Sequence, residues 1–330
     1  MIDLHIHLAR LPNKKQLTQL LLDKNYDFIA IACEPWEWEE VTLLRKRFST
    51  ERKPFKTAYG IHPMIAQQAN DELFAKLRAI LKEDKWAMVG EAGIDKRFPG
   101  YDDGTQDQVF LKQAELALEL QRDLQIHCVG DYMRVLKLLT KAGFPQDKPW
   151  LYSAPRPIFH RFGGDVAFLK RALPYGALFS LHADSFRKKS TAATIPLIPQ
   201  ERVFFETDAD ETFAQRIVDR NVATSSATTD PGTESGMTSS KESGMTSSKE
   251  FGMTSSKEFG MTSSKEFGMT SRKEFGMTSR KEFGMTSRKE SVILTLAEGT
   301  DPEQYTPEEC ASELEKRLES VRLAYAKSRE

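Results

Sequence analysis

Short apolar runs recur along the first 210 residues, and most are followed by a stretch whose apolar positions fall three and four apart. Brief apolar runs are how strands buried on both faces read, and three-four spacing marks one face of a helix. The strand candidates are Ile2–His5, Phe28–Cys33, Thr57–Ile61, Ala87–Glu91, Gln125–His127, Ile158–His160, Ala177–Leu181 and Val203–Glu206. Helical stretches lie between them at Lys15–Leu22, Asp71–Leu81, Gln106–Gln121, Met133–Lys141 and Asp165–Ala172. Within Gln106–Gln121 the stripe is Phe110, Ala114, Ala117 and Leu118. Strands alternating with crossover helices make a parallel sheet, and eight of them predict an α/β fold closed into a (β/α)8 TIM barrel.

The pattern breaks after residue 220. From Gly236 to Ser291 one octapeptide runs seven times: GMTSSKES, GMTSSKEF three times, GMTSRKEF twice, GMTSRKES. A glycine every eighth residue weakens a helix, and at most one aromatic per repeat is too little to bury, so disorder is expected. The predicted organisation is a barrel over 1–220, a low-complexity linker over 221–291 holding the repeats at 236–291, and a C-terminal segment over 292–330. In that segment Thr306-Pro307-Glu308-Glu309 is a capping box with proline at the first helical position. Ala311, Leu314, Leu318, Val321 and Tyr325 then form an apolar face, expected to be the last barrel helix packing back on the barrel.

Without the 56 repeat residues 274 remain, close to the roughly 250 of one such barrel. The repeats carry net charge +3 and the remainder −4. A mildly acidic globular part lacks the footprint of a protein that grips long duplex nucleic acid, so any nucleic acid would enter a local cleft by its end. Three dispersed cysteines, Cys33, Cys128 and Cys310, fit a reducing compartment better than a disulfide framework. No signal peptide and no long apolar span are visible, and a soluble cytoplasmic protein is the expectation, with no membrane and no stable protein partner.

Residues able to do chemistry fall at the ends of the predicted strands, where such a barrel keeps its active site. His5 and His7 accompany the first strand, His62 follows the third, Glu91 ends the fourth, His127 the fifth and His160 the sixth; Asp208 follows the eighth. His5 and His7, two apart on a strand, share a face. Taken alone, such a pair is half a metal site or two ordinary half-buried histidines. Five of six histidines aimed at one mouth favour metal. Neutral imidazoles with carboxylates suit Zn²⁺, Mn²⁺ and Fe²⁺, while carboxylate-only sites favour Mg²⁺. A glutamate can bridge two cations about 4 Å apart, and Glu91 is the natural bridge.

The ordered strings IDLHIHL (2–8), YGIHP (59–63), VGEAGID (89–95), QDQVFLKQAELALE (106–119), IHC (126–128), FHRFGG (159–164), GALFSL (176–181) and FFETD (204–208) resemble those of the TatD-related metal-dependent deoxyribonucleases, within the amidohydrolase-like barrel superfamily. The resemblance spans roughly Ile2 to Asp210. It implies a barrel hydrolase with two divalent ions, Mg, Mn or Zn. His5, His7, Glu91 and Asp208 would hold one ion, and Glu91, His127 and His160 the other. It also implies that His62 contacts a substrate phosphate and that water between the ions attacks a phosphodiester, DNA or a related ester, with Glu91 and Asp208 catalytic and Asp208 helping to deprotonate the water. Asp95 resembles the aspartate that supports a ligand histidine.

The chain also departs from the family pattern. The family usually places an arginine two residues after the fifth-strand histidine, where Val129 stands here, and Glu-Thr-Asp-x-Pro after the eighth strand, where Asp210 replaces proline. Arg161, Lys96 and Arg97 are candidate phosphate contacts or simply solvated surface. Trp36 and Trp38 either stack a base at the mouth or pack under a loop. His182 reads as a rim or packing residue and Cys128 as core. Two other functions stay open: a barrel hydrolase of another ester or an amide, and an inactive barrel whose repeats bind a partner.

Overall fold

The computed structural model describes residues 2–51, 53–146, 155–213, 215–217 and 306–329. Eight parallel strands close into a barrel in chain order. They are β1 (Ile2–Ile6), β2 (Asp27–Ala32), β3 (Lys56–Tyr59), β4 (Met88–Asp95), β5 (Leu124–Val129), β6 (Pro157–Phe159), β7 (Leu178–Leu181) and β8 (Val203–Phe205). Around them lie α1 (Lys14–Asp23), α2 (Pro35–Phe48), α3 (Asp71–Glu83), α4 (Thr105–Leu120), α5 (Tyr132–Ala142), α6 (Val166–Ala172), α7 (Lys189–Thr194) and α8 (Pro307–Ser328). This is the (β/α)8 architecture expected from the apolar rhythm.

The largest shift in a boundary is at β4, which runs on to Asp95 instead of stopping at Glu91. Its pairing with β5 continues from Ala92↔Ile126 to Asp95↔Val129, so Glu91 and His127 sit inside strands and are held by backbone on both sides. The apolar pattern does not predict helix α2. Its buried positions Trp38, Val41 and Leu44 are diluted by charged neighbours, and Pro35 serves as its first turn. Trp38 is buried, donating its indole N–H to the Gly60 carbonyl at 3.0 Å, so it packs under a helix and is not available to a base.

Two apolar layers form the core. Leu4, Ile29, Ile31, Ala58, Ile158 and Leu178, all strand residues, fill the barrel interior. A larger layer, which includes Phe110, Ala114, Ala117 and Leu139, lies between strands and helices. Leu4 belongs to the inner layer and Ile6 to the outer, and the β1–β2 register shifts between Asp3 and Ile6. Such an irregularity re-aims side chains, and here it leaves His5 directed inward above Leu4. The β4–β5 register shifts likewise between Val89 and Ala92, around Glu91.

Helix α8 starts at Thr306, whose hydroxyl accepts the Glu309 N–H at 3.2 Å while the Glu309 carboxylate accepts the Thr306 N–H at 2.7 Å. Its buried face is Ala311, Leu314, Leu318, Val321 and Tyr325. It packs on α1 and β8, with Lys24 paired to Glu315 at 3.2 Å and the Tyr325 ring 5.6 Å from Phe205. The chain divides into two units, Met1–Ala227 with Gly299–Glu330, and Thr228–Glu298. The second unit, and with it the octapeptide repeats and their expected disorder, lies outside the described residues. Among the described residues no helix is long and apolar enough to cross a membrane, and Cys33, Cys128 and Cys310 are buried and unbridged.

Candidate metal centre

The seven residues singled out by the sequence meet at the C-terminal mouth of the barrel. Glu91 stands at the middle and its two oxygens face different partners. Oε2 lies 3.3 Å from His5 Nε2 and 3.6 Å from His7 Nε2; Oε1 lies 2.5 Å from His127 Nδ1 and 2.8 Å from His160 Nε2. Asp208 Oδ1 completes the first side, 3.8 Å from His5 Nε2 and 3.7 Å from His7 Nε2. His62 Nε2 approaches the second, 3.6 Å from Glu91 Oε1. Among the described residues four clusters could hold an ion, three of them built from these seven residues: His5 with His7 and Asp208, His5 with Glu91 and His160, and His62 with Glu91 and His127; the fourth joins His7 to Cys33 and Glu37.

Outward contacts decide which ring nitrogen carries the proton. Gln125 donates its amide to the Leu4 carbonyl at 2.9 Å, so its oxygen must accept from His5 Nδ1 at 2.8 Å, leaving His5 Nε2 bare. His127 donates from Nε2 to Asp95 at 2.9 Å and turns a bare Nδ1 inward. His7 Nδ1 faces Glu37 at 3.5 Å and His160 Nδ1 faces Glu206 at 3.3 Å; neither is an aligned hydrogen bond, but each sets a carboxylate on the outward nitrogen. Support of the unligated imidazole nitrogen by carboxylate or carbonyl is the usual arrangement behind metal-binding histidines. The expected support from Asp95 is present. Gln125, Glu37 and Glu206 were missed.

His62 has the opposite polarity. Its Nδ1 accepts the Met64 N–H at 3.1 Å, so a neutral ring carries its proton on Nε2, toward the site. Burial pushes its pKa down to about 3, outweighing the pull of Glu91, and keeps the ring uncharged. That makes His62 a hydrogen-bond donor to whatever lies at the mouth. His182 similarly accepts the Asp184 N–H on Nδ1 and caps a short turn, in keeping with a rim role.

A bare imidazole nitrogen 2.5 or 2.8 Å from a carboxylate oxygen is two lone pairs in contact, which calls for a proton or a cation between them. The titration of the groups has the same sense. Burial opposes ionisation of Glu91, yet His160, His62, His5 and His127 hold its carboxyl well below the usual range. Burial also works against charge on His160, and Glu91 and Glu206 nevertheless lift it well above the ordinary imidazole value; His127 is raised in the same way. Asp208 is held low by His160 and the neighbouring histidines against its burial. The site is built to hold positive charge among largely buried side chains, and the nitrogen-oxygen donor set fits borderline divalent ions.

Around this centre the phosphate candidates separate. Arg97 is bound by its own Asp95, Nε to Oδ1 at 2.9 Å and Nη2 to Oδ2 at 2.5 Å. Arg161 reaches Asp208 Oδ2 at 2.7 Å and also pairs with Asp184, so it anchors the Asp208 carboxylate and leaves Oδ1 to the site. Trp36, 38% exposed, lies beside Arg10, whose guanidinium is 5.8 Å from the ring centroid. A cavity of about 370 Å³ opens from His127 and His160. Cys128, mostly buried, lies in its wall as well as in the core, so it is not wholly turned away from the mouth.

The family model of the TatD related DNases matches residues 2–224. Among curated proteins, the chain is 31% identical over 153 residues to the 3'-5' ssDNA/RNA exonuclease TatD of Cronobacter sakazakii, covering 46% of this chain and 55% of that protein. The protein of the same name from Pectobacterium atrosepticum is 30% identical over 153 residues, covering 46% of this chain and 56% of its own. The chain thus spans little more than half the length of the curated relatives it matches. Among solved structures, a TatD homologue from Escherichia coli superposes with TM-score 0.54 at 20% identity over 66% of this chain and 88% of that one. A TatD family hydrolase from Entamoeba histolytica gives 0.52 at 15% over 63% and 73%. At these identities the two structures establish the shared fold.

Proposed function

The chain belongs to the TatD related DNase family, and from that premise we propose that it is a metal-dependent phosphodiesterase acting at the ends of DNA strands. The observation that carries the reading is the division of Glu91, one oxygen toward His5 and His7 and the other toward His127 and His160. His5, His7, Glu91 and Asp208 would hold one divalent ion, and Glu91, His127 and His160 a second. When bound, such a pair supplies charge for the phosphoryl oxygens, acidity for a water and stabilisation of the leaving oxygen. The protein's own part is positioning. Asp208, tethered by Arg161 through Oδ2, offers Oδ1 as acceptor for the proton of an attacking water. His62 donates its Nε2–H to a non-bridging phosphate oxygen.

Metal content is the direct test. Full-length protein loaded with Mn²⁺ or Zn²⁺ and freed of excess ion should retain about two ions per chain and shorten a single-stranded oligonucleotide. Chelation should stop the cleavage and readdition restore it. Fewer than one retained ion under replete conditions would rule this mechanism out. Cleavage of an amide or a carboxylic ester in preference to the oligonucleotide would replace the substrate class instead.

The tautomer of His62 yields a separate expectation. His62→Ala should leave the retained metal unchanged and lower kcat/KM by about 10²-fold, the scale of one lost donor to a developing charge. A variant that loses an ion along with activity would make His62 a ligand.

A further inference from the structure

The cavity beside His127 and His160 holds two cations that no carboxylate among the described residues neutralises. Lys96 follows β4, Lys188 precedes α7, and both are exposed, line the cavity and form no ion pair with a described residue. Arg161 also borders it but is committed to Asp208 and Asp184, and the Asp184 carboxylate is answered by Arg161 and by Arg187 at 2.8 Å. Among the described residues the lysine charges therefore stand uncompensated. The Lys96 stem runs beside Gly130 at the strand end: a Cβ built on Gly130 would stand 3.4 Å, ordinary contact distance, from both Lys96 Cβ and Cδ. Tyr132 lines the same wall. Its hydroxyl accepts the Gly163 N–H at 2.8 Å and keeps its own proton for a second partner. At about 370 Å³ the space is at the small end of ligand pockets, suited to a phosphate with its sugar.

We propose that Lys96 and Lys188 form a second phosphate subsite, which holds the phosphate adjacent to the one at the metal centre and makes a strand of at least two phosphates the preferred substrate. The inference rests on the phosphodiesterase reading for its first phosphate. Two flexible ammonium groups at a cavity wall suit a phosphate that shifts position as the strand advances, because lysine binds as a point charge and not as a rigid fork. Neither lysine touches the reacting atoms, so their contribution is to substrate affinity and to discrimination by length.

The test compares wild type with the K96Q,K188Q double variant on a single-stranded 12-mer and on bis(p-nitrophenyl) phosphate, which has one phosphate only. KM for the 12-mer should rise about tenfold with kcat within about twofold, so that preference for the 12-mer over the small diester falls by the same factor. The slope of log KM against log salt should fall by about 0.7, the loss of one neutralised phosphate on a single strand. K96R,K188R, which keeps both charges, should restore most of the preference. Equilibrium binding of the labelled 12-mer, followed by fluorescence anisotropy, separates the two proposals. A strand bound in a lysine-dependent way but not cut keeps the subsite and discards the hydrolase. Binding, KM and salt slope unchanged in the double variant overturn the subsite.

Discussion

Glu91→Gln is expected to retain at most one divalent ion per chain and to lose at least about 10³-fold in kcat/KM, more than about 4 kcal/mol of transition-state stabilisation. The reason is geometric and electrostatic together. Among the described residues Glu91 is the one whose two oxygens reach both imidazole groups, His5 and His7 on one side and His127 and His160 on the other. An amide of the same shape has one acceptor oxygen and no charge, so it would neither serve both sides nor offset two cations at a side chain this deeply buried. Thermal unfolding gives an independent readout. An ion at 100 times its Kd stabilises the native state by about 2.7 kcal/mol, and in the variant that increment should vanish for at least one ion. Two retained ions with activity within tenfold of wild type would remove Glu91 from the centre of the mechanism. Asp95→Asn is the graded comparison. It weakens the outward support of His127, for which a loss of about 10- to 100-fold is typical, and loosens the Arg97 pair without touching Glu91.

That contrast follows how the site is distributed along the chain. The inner residues were legible because each stands at a strand end and because histidine is scarce: five of six meet at one mouth. Their supports were not legible. Gln125 reaches His5 across 120 residues, and Glu206 reaches His160 from the end of β8 and Glu37 reaches His7 from helix α2. No periodicity encodes such pairings. A polar residue two positions before a candidate ligand, as Gln125 is to His127 and Glu206 to Asp208, was the available signal, since both then lie on the site's side of the strand. Glu37 gave none. It is buried on a helix whose apolar positions were too diluted to predict, and only the fold shows it accepting from Arg10 at 2.7 Å and from the Cys33 N–H at 2.8 Å. Lys188 was invisible for the complementary reason: one exposed lysine among several has no mark until a cavity selects it.

The fold and the site are joined most tightly at Gly93, and Gly93→Ala is expected to damage both. Gly93 pairs with His127 across β4 and β5. A Cβ at Gly93 would drive into the His127 carbonyl oxygen and lie 2.7 Å from its carbonyl carbon. No rotamer relieves a clash between a Cβ and backbone, so the strands must part. Overpacking of this kind costs about 3 kcal/mol, a fall in Tm on the order of 10 °C for a domain of this size. The displaced residue is the one whose Nδ1 faces Glu91 at 2.5 Å and whose Nε2 donates to Asp95, so one ion should be lost with the stability. Gly143→Ala provides the control. Gly143 ends α5 at φ +91°, and a methyl placed on its Cα would meet nothing within 4 Å, so the cost should be only the conformational penalty of about 1 kcal/mol, with metal content and hydrolysis intact. Calorimetry and metal analysis on the two variants separate strain transmitted to the site from loss of stability alone. If Gly93→Ala unfolds no earlier than Gly143→Ala and keeps both ions, β4 and β5 are not the rigid frame on which Glu91 and His127 are held.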